Sequence, residues 1–239
     1  MSVRVSVAMA VYNGEKYLRE QLSSIQRQLG SDDEIVISVD PSGDGSKALA
    51  LEMAMNDKRI HVIDGPGQGA IKNFEAALRA ASGDIVFLAD QDDVWMEGKV
   101  ACCLQSLDKE KVTAVLHDAI VTDESLLKMR DSFFEGSYKP GVFNNIKRNR
   151  YIGCCMAFKR EVIELALPFP KGLPMHDQWL GLLAEKLGDI SYIDSPQILY
   201  RRHEQTVTGR QKSSLAQKTV WRWNIAISYI LRSFRHGTH

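Results

Sequence analysis

The run Ile85-Val86-Phe87-Leu88-Ala89-Asp90-Gln91-Asp92-Asp93 joins five apolar residues to three carboxylates. An unbroken apolar run of this length predicts a strand buried on both faces. The carboxylates then fall at its C-terminal end, where the strand-to-helix loops of an open α/β sheet form a crevice. Carboxylates this close repel one another and call for a counter-charge. A hard divalent cation suits them, because it takes oxygen ligands and bridges them to phosphates. The alternative is a solvated acidic turn that caps the next helix.

Upstream, the pattern alternates between two periods. Strands are predicted over 3–11, 34–39 and 59–63, and helices over 15–29, 47–55 and 70–81. A βαβαβαβ order implies a mainly parallel sheet with right-handed crossovers. Asp40 and Asp90, each just after a strand, then face the same crevice. Downstream, a helix is predicted over 95–107, a strand over 113–117, a strand over 152–158 and a helix over 160–167. Residues 127–151 are irregular, aromatic and basic, which reads as a lid or binding loop. A helix opening at 175–180 runs to 187, followed by two short strands at 190–193 and 197–200.

At 239 residues, 44% hydrophobic and 25% charged, the composition is that of an ordinary soluble globular chain. Zero formal net charge points to no particular partner. No Asp or Glu follows Glu204, whereas Arg210, Lys212, Lys218, Arg222, Arg232 and Arg235 do, a local charge of +6. The N-terminus lacks a signal-peptide core and no apolar run spans a bilayer, so a cytoplasmic location is expected. Cys102-Cys103 and Cys154-Cys155 lack zinc spacing and are expected as buried, reduced thiols.

Six motifs in order, VAMAVYNG (7–14), Asp40 with its Ser-Gly-Asp-Gly turn, ADQDDVW (89–95), GCCMAFK (153–159), HDQW (176–179) and YRRH (200–203), resemble those of family 2 inverting glycosyltransferases. The likeness is to the GT-A fold and to the rhamnosyltransferase-like branch of bacterial surface polysaccharide synthesis. It implies a GT-A domain over 1–209, with a tail over 210–239. It also implies a UDP- or dTDP-sugar donor, a glycan or lipid-linked acceptor, and Mn²⁺ or Mg²⁺.

By the same resemblance, Ala10, Tyr12 and Asn13 line the base and ribose pocket, and Asp40 reads the N3–H of uracil or thymine. A carboxylate, which only accepts, suits that donor. Asp90 and Asp92 match the DXD pair, Asp92 as metal ligand and Asp90 towards ribose or a metal-bound water. His203 completes the metal or diphosphate site, Lys72 and Arg201 support the phosphates, and Asp93 either assists or caps a helix. Asp177 is the general base that single-displacement inversion requires. His176 stands where the family usually has Glu and orients Asp177 or serves structure. Trp179 lines the acceptor pocket or joins the core. Thr206 replaces the family's usual Asn.

Ser213–Phe234 reads as a basic amphipathic helix, which suits either an anionic membrane surface or the face of the domain itself. Three other classes compete. A sugar-phosphate nucleotidyltransferase opens with a glycine-rich basic loop that residues 8–20 lack. NAD binding lacks its G-x-G-x-x-G. A non-catalytic nucleotide-sugar-binding protein has no need of both Asp92 and Asp177.

Overall fold

The computed structural model describes residues 3–136, 138, 140–203 and 214–235. Strand β1 (Val5–Val11), helix α1 (Glu15–Gln26), β2 (Glu34–Val39), α2 (Ser46–Asn56), β3 (Ile60–Asp64), α3 (Ala70–Ala80) and β4 (Ile85–Asp90) alternate as expected. The chain continues with β5 (Val94–Trp95), α4 (Lys99–Leu107), β6 (Val112–Thr122), β7 (Lys128–Arg130) and α5 (Val142–Lys147). After a short helical turn, Gly153–Cys155, come β8 (Met156–Lys159), α6 (Arg160–Ala166), α7 (His176–Leu187), β9 (Asp189–Arg201) and α8 (Leu215–Arg235). One sheet runs β3-β2-β1-β4-β8-β6-β9-β5, with β7 beside β6.

The strands β3, β2, β1 and β4 are parallel, and β8 enters antiparallel between β4 and β6. The apolar half of β4, Ile85 to Ala89, is buried throughout. Ala10 of β1 stands beside Ser38 of β2 and Asp90 of β4. That register brings Tyr12, Asp40 and the acid run out at one edge of the sheet. A one-residue slip would turn every core side chain to the other face, so burial on both sides holds the register.

Several boundaries differ from expectation for identifiable reasons. Helix α1 stops at Gln26 rather than 29, because the Arg59 guanidinium takes the carbonyls of Gln26 and Leu29. Those carbonyls are the ones a helix end leaves open. Residues 94 and 95, read as loop and helix, pair with β9 instead, and α4 starts only after Gly98, whose φ is 84°. The two short strands expected at the end are one strand, β9, paired with a β6 that runs on to Thr122. Pro196 lies opposite Asp118, where the register shifts and the ladder needs no N–H.

Half of the expected lid belongs to the core. Phe133, Phe134 and Tyr138 interlock with Tyr192 and Tyr200. The buried Asp118 carboxylate holds them by accepting from the Phe133 and Phe134 amides. The three thiols Cys103, Cys154 and Cys155 are buried, Cys102 is half-buried, and all four are free.

The expected domain boundary at 210, with Thr206, Arg210 and Lys212, lies outside the described residues. Beyond them α8 lies against α5 and α7. Ile225 is buried there, and Arg232 donates to the carbonyls of Leu165, Leu167 and Pro168. The stripe Val220, Trp223, Ile227, Ile230, Leu231 and Phe234 stays exposed. One face of the helix thus packs on the domain, while the apolar stripe does not. Among the described residues no helix is long and apolar enough to cross a membrane.

Candidate active site

The loops after β1 and β2 are tied together by short side chains. Asn13, with φ 49°, accepts the Gly43 amide on its side-chain oxygen, and its own amide donates to Ser42 Oγ. Asparagine tolerates this left-handed geometry better than most residues. Gln91 holds the preceding residue from the other side. Its Oε1 accepts the Tyr12 N–H at 2.8 Å and its Nε2 donates to the Tyr12 carbonyl at 3.0 Å. The Tyr12 ring itself is 59% exposed, so it packs in no core. Asp40 is buried and accepts the Gly67 amide at 2.9 Å. Gly65 runs so close that a Cβ there would lie 2.4 Å from Asp40 Oδ1.

Asn13, Tyr17, Asp44, Glu124 and His203 line one open cavity of about 700 Å³. His203 Nε2 lies 2.7 Å from Asp92 Oδ2, and its ring tilts over Tyr17 at 4.8 Å. Asn13 and His203, 190 positions apart in sequence, thus line one cavity, and His203 reaches the acid run. Arg201 acts differently from expectation. Its guanidinium donates to the carbonyls of Asp92 and Glu124 and to the Glu20 carboxylate, while its backbone N–H donates to Asp93. It fastens the acid turn, with its guanidinium engaged by Asp92, Glu124 and Glu20.

Asp93 is buried, with one carboxylate oxygen lacking a partner, so it caps no solvent-exposed helix. Asp90, Asp93 and the Cys154 sulfur bring donor atoms within 4.8 Å of one another. Burial, and then the Asp92 charge, raises the affinity of both Asp90 and Asp93 for a proton. The Cys154 thiol is also pushed up, so it serves these carboxylates as an S–H donor. Lys99 supplies nearby positive charge that sequence reading overlooked. It is fully buried, donates to the Cys154 carbonyl at 2.9 Å and sits 4.1 Å from the Trp95 ring centroid. Carboxylate oxygens, an imidazole and an orphaned buried carboxylate oxygen are a donor set that fits Mn²⁺ or Mg²⁺. Asp90, Asp93 and Cys154 form one group of donor atoms there, and Asp92 with His203 a donor pair at the same acid run.

Across the crevice, α7 begins with His176 and Asp177, both buried. Asp177 Oδ1 accepts from Asn149 Nδ2 at 3.0 Å and from the Gln178 amide at 2.6 Å. Burial pushes its pKa up to about 6, only partly offset by those bonds. The Asp177 charge also raises Asp90, so the two carboxylates lie within electrostatic reach of each other. The turn Gly153–Cys155 lies between them, Cys154 bonding to Asp90 and Gly153 to Asp177. His176 stacks on Phe74 at 4.1 Å, and neither ring nitrogen has a partner. Burial lowers its pKa to about 4, so it stands beside Asp177 as a neutral ring.

Two further expectations are corrected. Trp179 has no exposed surface and donates Nε1 to the Ala166 carbonyl, so it belongs to the core and lines no acceptor pocket. Lys72 pairs with Glu75 of its own helix, which also holds Arg79, and is not drawn to the acid run. Gln91, Lys99 and Asn149 escaped sequence reading. Gln91 sits inside the acid run and Asn149 inside a basic run, but nothing local says which backbone or carboxylate each meets.

A sequence model described as Glycosyl transferase family 2 matches residues 6–165. The protein EpsH of Bacillus subtilis is 29% identical over 224 residues, covering 88% of this chain, and the match spans 64% of EpsH. The dTDP-rhamnosyl transferase RfbG of Shigella flexneri is 27% identical over 225 residues, 87% of this chain and 76% of RfbG. In fold, the chain resembles S. aureus TarS 1-349 in complex with UDP-GlcNAc, with a TM-score of 0.67 at 18% identity over 98% of this chain and 73% of TarS 1-349. The chain belongs to glycosyl transferase family 2 and carries its GT-A fold.

Proposed function

We propose that this chain transfers a sugar, with inversion, from a UDP- or dTDP-sugar to a hydroxyl of a glycan or lipid-linked acceptor in bacterial surface polysaccharide synthesis. The observation that supports the proposal is the Gly153–Cys155 turn, which has Asp177 beside Gly153 and Asp90 beside Cys154, with the Asp177 pKa raised by burial to about 6. A base near that value is ionised at neutral pH yet still accepts a proton readily. The acceptor hydroxyl gives its proton to Asp177 as its oxygen bonds to the sugar anomeric carbon. The bond from that carbon to the diphosphate oxygen breaks, and the nucleoside diphosphate leaves on the opposite side.

Asp40 accepts from the base, beside the exposed Tyr12 ring, while Asn13 shapes the ribose side next to Ala10. Asp92, with His203 and Asp90, would hold Mn²⁺ or Mg²⁺, which when bound would supply Lewis acidity against charge on the leaving diphosphate. Asn149 keeps Asp177 Oδ1 engaged and so aims the other oxygen. The exposed stripe of α8 rests on the inner membrane face, which brings a lipid-linked acceptor within reach. In this reading the protein works at the cytoplasmic side of that membrane.

Calorimetry with UDP-, dTDP- and GDP-sugars, with and without Mn²⁺, tests the donor. Tighter binding of a UDP- or dTDP-sugar with Mn²⁺, lost in Asp92→Ala, is expected; metal-independent binding of GDP-sugars alone sinks the reading. Liposome binding should fall on Trp223→Ala/Phe234→Ala substitution, and unchanged binding removes the membrane role.

A further inference from the structure

A second cavity, of about 870 Å³, lies between residues 144–150, residues 174–178 and α8. Its volume is that of a ligand site rather than a packing void. Lys147, Arg148, Arg150, Lys218 and Arg222 line it, and no Asp or Glu does. Among the described residues, Lys147, Arg148, Lys218 and Arg222 form no ion pair. The buried Arg201, by contrast, is matched by the Glu20 carboxylate. Five like charges around one hollow create a field that draws in an anion. Guanidinium forks match phosphate oxygens in a planar, two-bond geometry.

The position of the hollow says which anion. Asn149 and Gln178 line it, and these two residues also bond to Asp177. The hollow is therefore contiguous with the acceptor side of the crevice. The donor diphosphate belongs with Asp92 and His203, which line none of it. Trp221 and Ile225 add an apolar wall able to take a sugar face or the first carbons of an ester chain. The apolar stripe of α8 at Trp223, Ile227 and Phe234 points elsewhere, to solvent.

We propose that this cavity is an acceptor subsite for a phosphate or diphosphate ester, so that the acceptor is an anionic glycosyl (di)phosphate and not a neutral glycan. The assignment of the anion to an acceptor rests on the transferase reading above; the anion site itself does not.

The test titrates inorganic pyrophosphate into the full chain in EDTA. One site is expected, weakened at least tenfold by Arg148→Ala/Arg222→Ala and independently by Lys218→Ala. All three side chains are exposed, so folding is not at stake. Absent binding, or binding that survives both sets of substitutions, overturns the proposal. A matched pair of short-chain alkyl probes, a glycosyl diphosphate and the plain glycoside, extends the test to the ester. Only the diphosphate should bind tightly, and only its binding should respond to the substitutions. Equal affinity for the two overturns the proposal. Vesicles containing phosphatidylglycerol distinguish the remaining source of phosphate. If the substitutions abolish vesicle binding but spare the soluble diphosphate, the cations serve lipid headgroups and the proposal fails. Donor binding measured on the same variants keeps the two readings apart, because its absence sinks the transferase reading and leaves the pyrophosphate result standing.

Discussion

Asp177 owes its chemistry to packing more than to its partners. Two or three hydrogen bonds would lower a carboxylate's pKa, yet burial at the start of α7 outweighs them and sets it at about 6. Two consequences follow with opposite signs for activity and stability. Transfer needs the ionised form, so kcat/KM should fall about tenfold per pH unit below pH 6, and a profile flat to pH 5 removes the base role. A raised carboxylate pKa costs folding energy above the folded value and nothing below the ordinary value near 4. Asp177→Asn should therefore cut transfer by at least ~100-fold while raising stability at pH 7 by about 1–3 kcal/mol. The gain should vanish near pH 4, as thermal melts across pH will show. Asp177 was legible in the HDQW motif, and Asp92 and His203 in theirs. Arg201 and Lys72 meet other partners than the resemblance implies, and Trp179 takes the core reading of its two, because a side chain's partner depends on contacts from distant segments. Arg201 meets Glu20 and Glu124, neither of which any local pattern links to it.

At the scale of elements, the junction between α7 and β9 shows how a helix is placed for chemistry. Gly188 ends α7, and its N–H donates to the Ala184 carbonyl. A Cβ there would meet the Lys111 carbonyl oxygen at 2.2 Å and Thr113 Cγ2 at 2.7 Å. The next residue, Asp189, donates to that same carbonyl and starts the β6–β9 ladder. Gly188→Ala should cost about 3 kcal/mol, the upper end for overpacking because a backbone oxygen has to move. Chemical denaturation measures it, and a loss under ~0.5 kcal/mol would mean that the junction yields easily. The strand-and-helix alternation of the first half was readable because each run there is long and strictly periodic. Val94-Trp95 was not, since a two-residue strand exists only through its pairing with β9.

Over the whole molecule, α8 packs against α5 and α7. Arg232 donates to three carbonyls at the end of α6 and lies 5.6 Å from the Trp179 ring centroid. Charged donors to buried carbonyls contribute about 1.5–3 kcal/mol each in favourable cases, less here because the site is partly open. Arg232→Ala should destabilise the protein by about 2 kcal/mol and speed proteolytic cleavage within α8. Unchanged cleavage would mean that Ile225 and its neighbours suffice to hold the helix.

The sequence alone determined the parallel βαβ core, the edge at which Asp40 and Asp90 emerge, and the family to which the chain belongs. Those depend on hydrophobic period and on residues within one strand-loop unit, where chain connectivity does the positioning. Tertiary structure alone decided which carboxylate is buried, that Lys99 lies beneath the acid run, and that Asn149 meets Asp177. It also decided that one face of α8 is covered while another is open, and that five cations surround one hollow. These are matters of which distant surfaces exclude water from one another, and burial in turn sets the charge and reach of each group. The acid run could be read as a site from its own nine residues; what it works with became visible only once the chain had closed around it.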